Sequence, residues 1–175
     1  ALKDYQEIFA MLQEQTGRLS HLAEILLDMT GVQTVERSER ISLAALTDEV
    51  FCDLASVAEQ KDVELIQQEG DCIITGSYLL LYRAVYNLVE NAIKYNHSGG
   101  KVTVNIHLSG EITDTSTSVN YVFLEVSDTG IGIPPEYQEK IFTPFFRVDK
   151  SRSRAMGGAG LGLALVSEIV RQHNG

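Results

Sequence analysis

The sequence has few residues that could hold the chain together covalently, and it has no hydrophobic run long enough for a membrane. Its 175 residues include no tryptophan, 3 prolines and 2 cysteines. Cys52 and Cys72 each stand among apolar residues and neither has a partner at CxxC or zinc-ligand spacing, so we expect two small buried side chains. This usage fits a reducing cytoplasm. No apolar segment approaches the ~18–20 residues that span a bilayer, and no signal peptide is visible.

Positive charge is also scarce, since 14 basic residues face 24 acidic ones and the formal net charge is −10. Nucleic acid is therefore a poor general partner, and any anionic ligand must be held by a local basic cluster. The hydrophobic fraction of 44% and the charged fraction of 22% predict a globular core rather than disorder. The missing initiator Met and the end at Gly175 favour an excised fragment.

The first 31 residues predict one long helix. Apolar residues recur there at alternating spacings of three and four, a heptad pattern broken once by Gln15. The seam consists of Tyr5, Ile8, Leu12, Gln15, Leu19, Leu22, Leu26 and Met29. Such a narrow stripe favours a coiled coil or helical bundle, and the alternative is an amphipathic helix packed on its own domain. The polar residues 32–42 predict a linker and a domain boundary.

Residues 43–175 mix helices with hairpin-connected strands. Helices are predicted at about 43–60, Ser77–Tyr95 and 161–173, with a short one near Glu136–Ile141. Strands are predicted at Val63–Gln67, Cys72–Thr75, Lys101–Leu108 and Tyr121–Ser127. The buried face of the first helix is assigned to Leu46, Val50, Leu54 and Val57. This pattern predicts an α+β fold, a two-layer sandwich with helices on one face of a mixed sheet.

The helix at Ser77–Tyr95 carries a polar stripe. Asn87, Glu90, Asn91 and Lys94 follow one another at steps of three, one and three, so they share one face. Amide and carboxylate oxygens suit a hydrated Mg²⁺, and an ammonium suits phosphate. The alternative is a polar face that only contacts solvent.

A carboxylate and two spaced glycines follow the strand Tyr121–Ser127. Asp128 offers an acceptor for an exocyclic amine, and Gly130 and Gly132 let the backbone approach a flat ring. This GxG is not the dinucleotide-binding fingerprint, because Pro134 and Pro135 follow where a helix should begin.

Two further segments fit an anionic ligand. The glycine-rich run 157–162 leads into a helix N-terminus, where N–H groups and the helix dipole attract anions. The sequence is not a Walker-type loop. Before it, a phenylalanine-rich stretch ends at Arg147 and is followed by Lys150, Arg152 and Arg154. This basic run is the candidate phosphate clamp.

In this order and at these spacings, the four segments resemble the N, G1, F and G2 boxes of the histidine-kinase ATP-binding domain. The wider superfamily, called GHKL or Bergerat-type, includes gyrase-type topoisomerases, Hsp90-type chaperones and MutL-type repair proteins. The resemblance covers residues 43–175 closely and implies a mixed sheet with three helices and a flexible lid over the nucleotide. The heptad helix is similar to the second helix of the family's dimerisation hairpin.

The resemblance also implies roles for single residues. Asn91 would be the Mg²⁺ ligand with Asn87 beside it, and Lys94 and Tyr95 would contact phosphate and sugar. Asp128 would accept from the adenine amino group. The implied base-pocket and phosphate-end residues are Gly130, Gly132, Gly158, Gly160, Leu161 and Gly162. Glu90 matches a proposed base, and Arg147 is a candidate for a γ-phosphate contact.

The sequence departs from the family in two ways. None of His21, His97, His107 and His173 has the acidic neighbour and following Thr-Pro or Asn-Pro of a phosphoacceptor, so we expect that helix to lie upstream. The chain also stops where the family continues with two strands.

The resemblance implies a protein-histidine kinase. Its ATP would phosphorylate a His on the dimerisation domain, for relay to an Asp of a response regulator. The parent would be a homodimer through the N-terminal helix, with this part in the cytoplasm and a membrane anchor upstream. The alternatives are an ATP-binding regulatory module or ATPase without phosphotransfer, and, less favoured by charge, an ATP-driven clamp.

Overall fold

The computed structural model describes residues 35–111, 119–148 and 159–175, together with Tyr5, Ile8, Phe9 and Thr16. These four N-terminal residues are helical and exposed, in agreement with the predicted helix. The rest of that helix, with His21, lies outside the described residues. So do the basic run Lys150, Arg152 and Arg154, and the glycines Gly157 and Gly158.

The described elements form two small sheets and three helices. β2 pairs in parallel with β4, and β4 pairs antiparallel with β5, which gives a three-stranded mixed sheet. β1 and β3 form a separate antiparallel pair. In chain order the elements are β1 Glu39–Ser42, α1 Leu43–Lys61, β2 Val63–Gln67, β3 Ile73–Gly76, α2 Tyr78–Lys94, β4 Gly100–Glu111, β5 Val119–Asp128 and α3 Gly162–Gln172. The predicted α+β class, with three helices and a mixed sheet, is confirmed.

The main core lies between α1, α2 and the three-stranded sheet. Its centre consists of side chains from α1, α2 and β4 with no exposed surface: Leu46, Val50, Leu54, Val89, Ile93, Val102 and Val104. Val102, Val104 and Ile106 of β4 all face the helices, whereas Leu108, the next residue in this alternation, is 63% exposed.

A second, smaller core joins α2 to α3. Leu80 and Ala84 of α2 pack there against Leu161, Leu165 and Ile169. The C-terminal end of α3 is fastened to α2 as well, since the backbone N–H of Ser77 donates to His173 Nε2 at 3.1 Å. His173 Nδ1 lies 2.8 Å from the carbonyl of Ile169, so the neutral ring donates from Nδ1 and accepts at Nε2.

The structure corrects four local predictions. Residues 39–42, assigned to the linker, form β1, and the short helix near Glu136–Ile141 is a 3₁₀ turn at Pro135–Tyr137. Val57 is 41% exposed, because the buried stripe of α1 passes to Ala58 instead. Cys52 is exposed on the outer side of α1, whereas Cys72 is buried as expected. The division into helix, linker and catalytic domain stays a prediction.

No helix within the described residues is long and apolar enough to cross a membrane.

The N-terminus of α1 is held by two side chains. The Ser42 hydroxyl accepts from Ala45 N–H at 3.1 Å and donates to Asp71 Oδ2 at 2.9 Å. Asp71 Oδ1 accepts from Ala44 N–H at 3.0 Å. This bond to Ala44, assisted by the Ser42 hydroxyl, lowers the pKa of Asp71 below its ordinary value. The cap therefore joins β1, α1 and the segment before β3.

Asp71→Asn should lower stability at pH 7 by about 1 kcal/mol or less, the usual size of an exposed helix cap. Because the folded pKa is depressed, the contribution is present above the unfolded pKa and lost as pH falls below about 4. Urea denaturation at pH 7 and pH 3 measures the difference, which should shrink at pH 3. Asp48→Asn, an exposed position on α1, is the matched control, and equal pH dependence in both variants would contradict the assignment.

Candidate functional site

The polar stripe of α2 is retained in the fold. Asn87, Glu90, Asn91 and Lys94 are all half-buried, and Tyr95 follows as the C-cap. They occupy this face because the other two sides of α2 are taken by the two cores. The stripe is therefore a partly enclosed polar surface rather than a freely solvated one.

Asn87 lies where α2 meets the beginning of α3. Its Nδ2 donates to the carbonyl of Arg83 at 2.8 Å. Its Oδ1 faces Gly162, and a Cβ atom at position 162 would stand 2.5 Å from that oxygen. Glycine at 162 thus lets the N-terminus of α3 reach the polar stripe.

The loop after β5 rests on the C-terminal end of α2. Asp128 is exposed, and its Oδ1 accepts from Gly130 N–H at 2.8 Å. Ile131 N–H donates to the carbonyl of Tyr95 at 3.2 Å. A Cβ atom at position 130 would stand 2.4 Å from that carbonyl oxygen, so only glycine permits this approach. Gly132 has a φ of 67° and open space around it.

The glycine run leading into α3 is held by the phenylalanine-rich stretch. Gly160 has a φ of 72°, and its carbonyl accepts from Phe145 N–H at 2.8 Å. A Cβ at position 160 would lie 2.6 Å from the carbonyl oxygen of Phe146 and 3.2 Å from Arg147 Cγ. Arg147 therefore lies beside the start of α3. The side chain of Leu161 is in the second core with 1% exposure, so it cannot itself contact a ligand.

Different positively charged groups lie at the two ends of the polar stripe of α2. α3 has no acidic residue in its first turn and no side-chain cap, so its N-terminal N–H groups keep their attraction for anions. At the other end of the stripe, Lys61 Nζ donates to the carbonyl of Lys94 at 3.0 Å, and Lys94 Nζ lies 5.8 Å from the centre of the Tyr95 ring.

Glu90 belongs to a more acidic side of α2. Burial, followed by the neighbouring carboxylates of Glu90 and Asp53, raises the pKa of Tyr86. Two turns earlier, a hydrogen bond to Glu49 raises the pKa of Tyr78 to about 12. The acidic side and the Lys94 end therefore adjoin each other along one helix.

A protein-only metal cage is absent among the described residues, where no three His, Cys, Asp or Glu side chains cluster. The available donors are the amide oxygens of Asn87 and Asn91 and the carboxylate of Glu90. Such hard oxygen donors fit Mg²⁺, which usually takes one or two protein ligands and completes its shell with water and phosphate.

The structure brings most predicted site residues to one region around the C-terminal half of α2. Asn87 meets Gly162, Tyr95 meets Gly130, and Arg147 meets Gly160. Gly158 lies outside the described residues. Sequence reasoning missed Lys61 and Asn96, because neither belongs to a motif and their contacts join distant elements.

The three described histidines are engaged elsewhere. His97 is in the turn before β4, with Nδ1 3.1 Å from the carbonyl of Ser98. His107 stacks on Phe123 on the outer face of the sheet, with ring centroids 5.4 Å apart. His173, the C-cap of α3, is bound to Ser77.

Comparison with known proteins gives a consistent family. Residues 76–175 match the family described as histidine kinase-, DNA gyrase B-, and HSP90-like ATPase. The sensor histidine kinase RppB of Synechocystis sp. is 38% identical over 97% of this chain and 37% of its own length. WalK of Bacillus subtilis is 31% identical over 99% of this chain and 28% of its own length. The chain thus spans well under half of these relatives.

Solved structures agree with this result. The mycobacterial sensor histidine kinase MprB is 30% identical with a TM-score of 0.62, over 78% of this chain and 80% of that one. The catalytic domain of histidine kinase ThkA is 26% identical with a TM-score of 0.58, over 76% and 80%. The chain therefore belongs to the histidine kinase-, DNA gyrase B- and HSP90-like ATPase family, as an ATP-binding catalytic domain of the sensor histidine kinase type.

Proposed function

We propose that this chain binds Mg²⁺ and ATP around the C-terminal half of α2 and supplies the catalytic site of a protein-histidine kinase. The observation that carries the proposal is the meeting of three surfaces there: the polar stripe of α2, the Asp128 loop and the N-terminus of α3. In the whole protein, the γ-phosphoryl group would pass to a His on the dimerisation domain and then to an Asp of a response regulator.

The adenine ring of ATP would bind at the Asp128 loop. Gly130 N–H donates a hydrogen bond to Asp128 Oδ1, and Asp128 Oδ2 would accept a hydrogen bond from the adenine amino group. Gly130 and Gly132 add no side chain that would keep a flat ring away. Tyr95, next to the loop, would contact the sugar.

The phosphates would extend from Lys94 towards the N-terminus of α3. Asn91, with Asn87 beside it, would hold Mg²⁺, which neutralises phosphate charge when bound. The backbone at Gly158, Gly160, Leu161 and Gly162 would bound the phosphate end, with Arg147 near the γ-phosphate. Glu90, on the adjoining acidic side, would act as the base towards the acceptor imidazole.

The relatives support wider proposals for the parent protein. A response regulator would be its partner, and the N-terminal helix would form a homodimer with a second copy. The part described would then be the cytoplasmic portion of a protein anchored in the membrane by an upstream segment.

Asn91→Ala should abolish Mg²⁺-dependent nucleotide binding and leave the fold intact, because Asn91 is on the polar face of α2. Calorimetry with a non-hydrolysable ATP analogue, with and without Mg²⁺, measures the effect. Asn105→Ala, a half-buried Asn on the sheet, is the matched control. Unchanged affinity of Asn91→Ala in Mg²⁺ would remove this residue from the site.

Asp128→Asn should weaken ATP binding and reduce the preference for ATP over GTP, since an amide can turn its donor towards a guanine carbonyl. A polar group left without its partner costs ~1–3 kcal/mol, roughly a tenfold to hundredfold loss of affinity. Competition between ATP and GTP analogues measures the preference. A variant that discriminates as sharply as the parent would exclude Asp128 as the base reader.

This chain should bind ATP without phosphorylating itself. Transfer needs an imidazole presented in line with the γ-phosphate, and His97, His107 and His173 are engaged in a turn, a ring stack and a helix cap. The test is incubation with γ-labelled ATP and Mg²⁺, with and without a separate polypeptide that carries an acceptor His helix. Acid-labile label on His21 in the chain alone would overturn this prediction, and no label in either mixture would favour a module without phosphotransfer.

A further inference from the structure

A closed hydrogen-bond network joins the exit of α2, the start of β4 and the Asp128 loop. Asn96, which is 9% exposed, donates from Nδ2 to the carbonyl of Lys101 at 3.0 Å. Its Oδ1 accepts from the Thr129 hydroxyl at 3.1 Å and from His97 N–H at 3.0 Å. Thr129 Oγ1 in turn accepts from Lys101 N–H at 2.9 Å.

The network allows only one arrangement of hydrogen-bond donors and acceptors. Asn96 Oδ1 receives two donors and Nδ2 meets a carbonyl, so a carboxylate at 96 would place two oxygens against each other. The Thr129 hydroxyl must act as donor to Asn96 and acceptor from Lys101, which a valine methyl cannot do. The space is tight, since a Cβ at Gly100 would lie 2.1 Å from Asn96 Oδ1.

The network lies between the two halves of the proposed site. Thr129 follows Asp128 directly, and Asn96 is five residues after Asn91, just beyond the end of α2. The Thr129–Asn96 bond and the Ile131–Tyr95 bond both attach the loop to this exit. In the proposed site these two residues hold the loop and make no contact with the ligand, so their effect on binding would come from the position of the loop.

We infer that Asn96 and Thr129 are positioning residues for base selection, fixing the Asp128 carboxylate at one distance from the metal and phosphate face of α2. The inference rests on the proposed ATP site and adds a determinant of its specificity. Breaking the network lets the loop shift, which weakens the contact with the adenine amino group while the phosphate end stays in place.

The test compares Thr129→Val with Thr129→Ser, which keeps the hydroxyl. Three probes are titrated in Mg²⁺: a non-hydrolysable ATP analogue, the matching GTP analogue and inorganic tripolyphosphate. Thr129→Val should bind the ATP analogue about tenfold more weakly, the factor expected for one lost hydrogen bond. The GTP analogue and tripolyphosphate should bind as in the parent, and Thr129→Ser should restore the preference for ATP.

Asn96→Asp tests the other end of the network and should give the same loss of preference. Ser98→Ala is the control, because it removes a hydrogen bond from the same turn to Asp62, outside the network. In the Asp128→Asn background, Thr129→Val should cause no further loss of ATP over GTP preference. An additive loss there would mean that Thr129 does not act through Asp128.

The outcomes distinguish a failure of the proposed ATP site from a failure of the positioning role of Asn96 and Thr129. A parent chain that binds neither ATP analogue nor tripolyphosphate would overturn the proposed function itself. If the parent prefers ATP and Asp128→Asn removes that preference, but Thr129→Val and Asn96→Asp keep it, the positioning inference alone is wrong. Lower melting temperatures with an unchanged preference would likewise reduce the network to a structural role. If Thr129→Val does not fold, the preference ratio of Asn96→Asp decides.

Discussion

Helix α2 is packed on two sides, and this constraint determines where a ligand can bind. Val85, Val89 and Ile93 face α1 and the sheet, while Leu80 and Ala84 face α3. A helix buried on two sides has only one remaining surface, and on α2 this surface carries amides, a carboxylate and an ammonium. Rotating α2 by one residue would bury Asn87 or Asn91 in an apolar core, at a cost of several kcal/mol for unsatisfied polar groups.

Close backbone contacts then bring the Asp128 loop and the N-terminus of α3 to the polar stripe of α2. The Gly130 contact with Tyr95 and the Gly162 contact with Asn87 are both shorter than a Cβ atom would allow. Two loops are therefore fixed at opposite ends of one polar face, and the distance between them is set by the rigid helix rather than by the loops. A ligand that touches both loops must match the length of this face.

The sequence predicted the features with a local cause. The strand β4 and the polar stripe along α2 both follow from residues near in sequence. β1 was missed because Glu39–Ser42 is short and charged, and it exists only by pairing with β3. Cys52 was misassigned because its apolar neighbours in sequence belong to a different face of α1.

The residues of the candidate site also fall into two groups, those that could be predicted from a local motif and those that could not. The stripe on α2 and the Asp128 loop were predicted because each is a compact motif. Asn96 was not, because its importance depends on Thr129, 33 residues away, and on the β4 register that presents Lys101. Residues that bind are concentrated in motifs, whereas residues that hold motifs at a fixed separation are identified by their contacts.

The charge of the chain gives the last constraint on this site. A net charge of −10 opposes a polyphosphate ligand at long range. At physiological salt, however, charges beyond about 8 Å are largely screened, so the groups within that distance dominate. Among the described residues near the proposed phosphate path, these groups include Lys94, Lys61, Arg147 and the N-terminus of α3, whose first turn lacks acidic residues. Glu90 adjoins the same face and repels phosphate, and a divalent cation held by Asn91 would offset this repulsion. Nucleotide binding at this site should therefore depend on the metal more than on any single basic side chain.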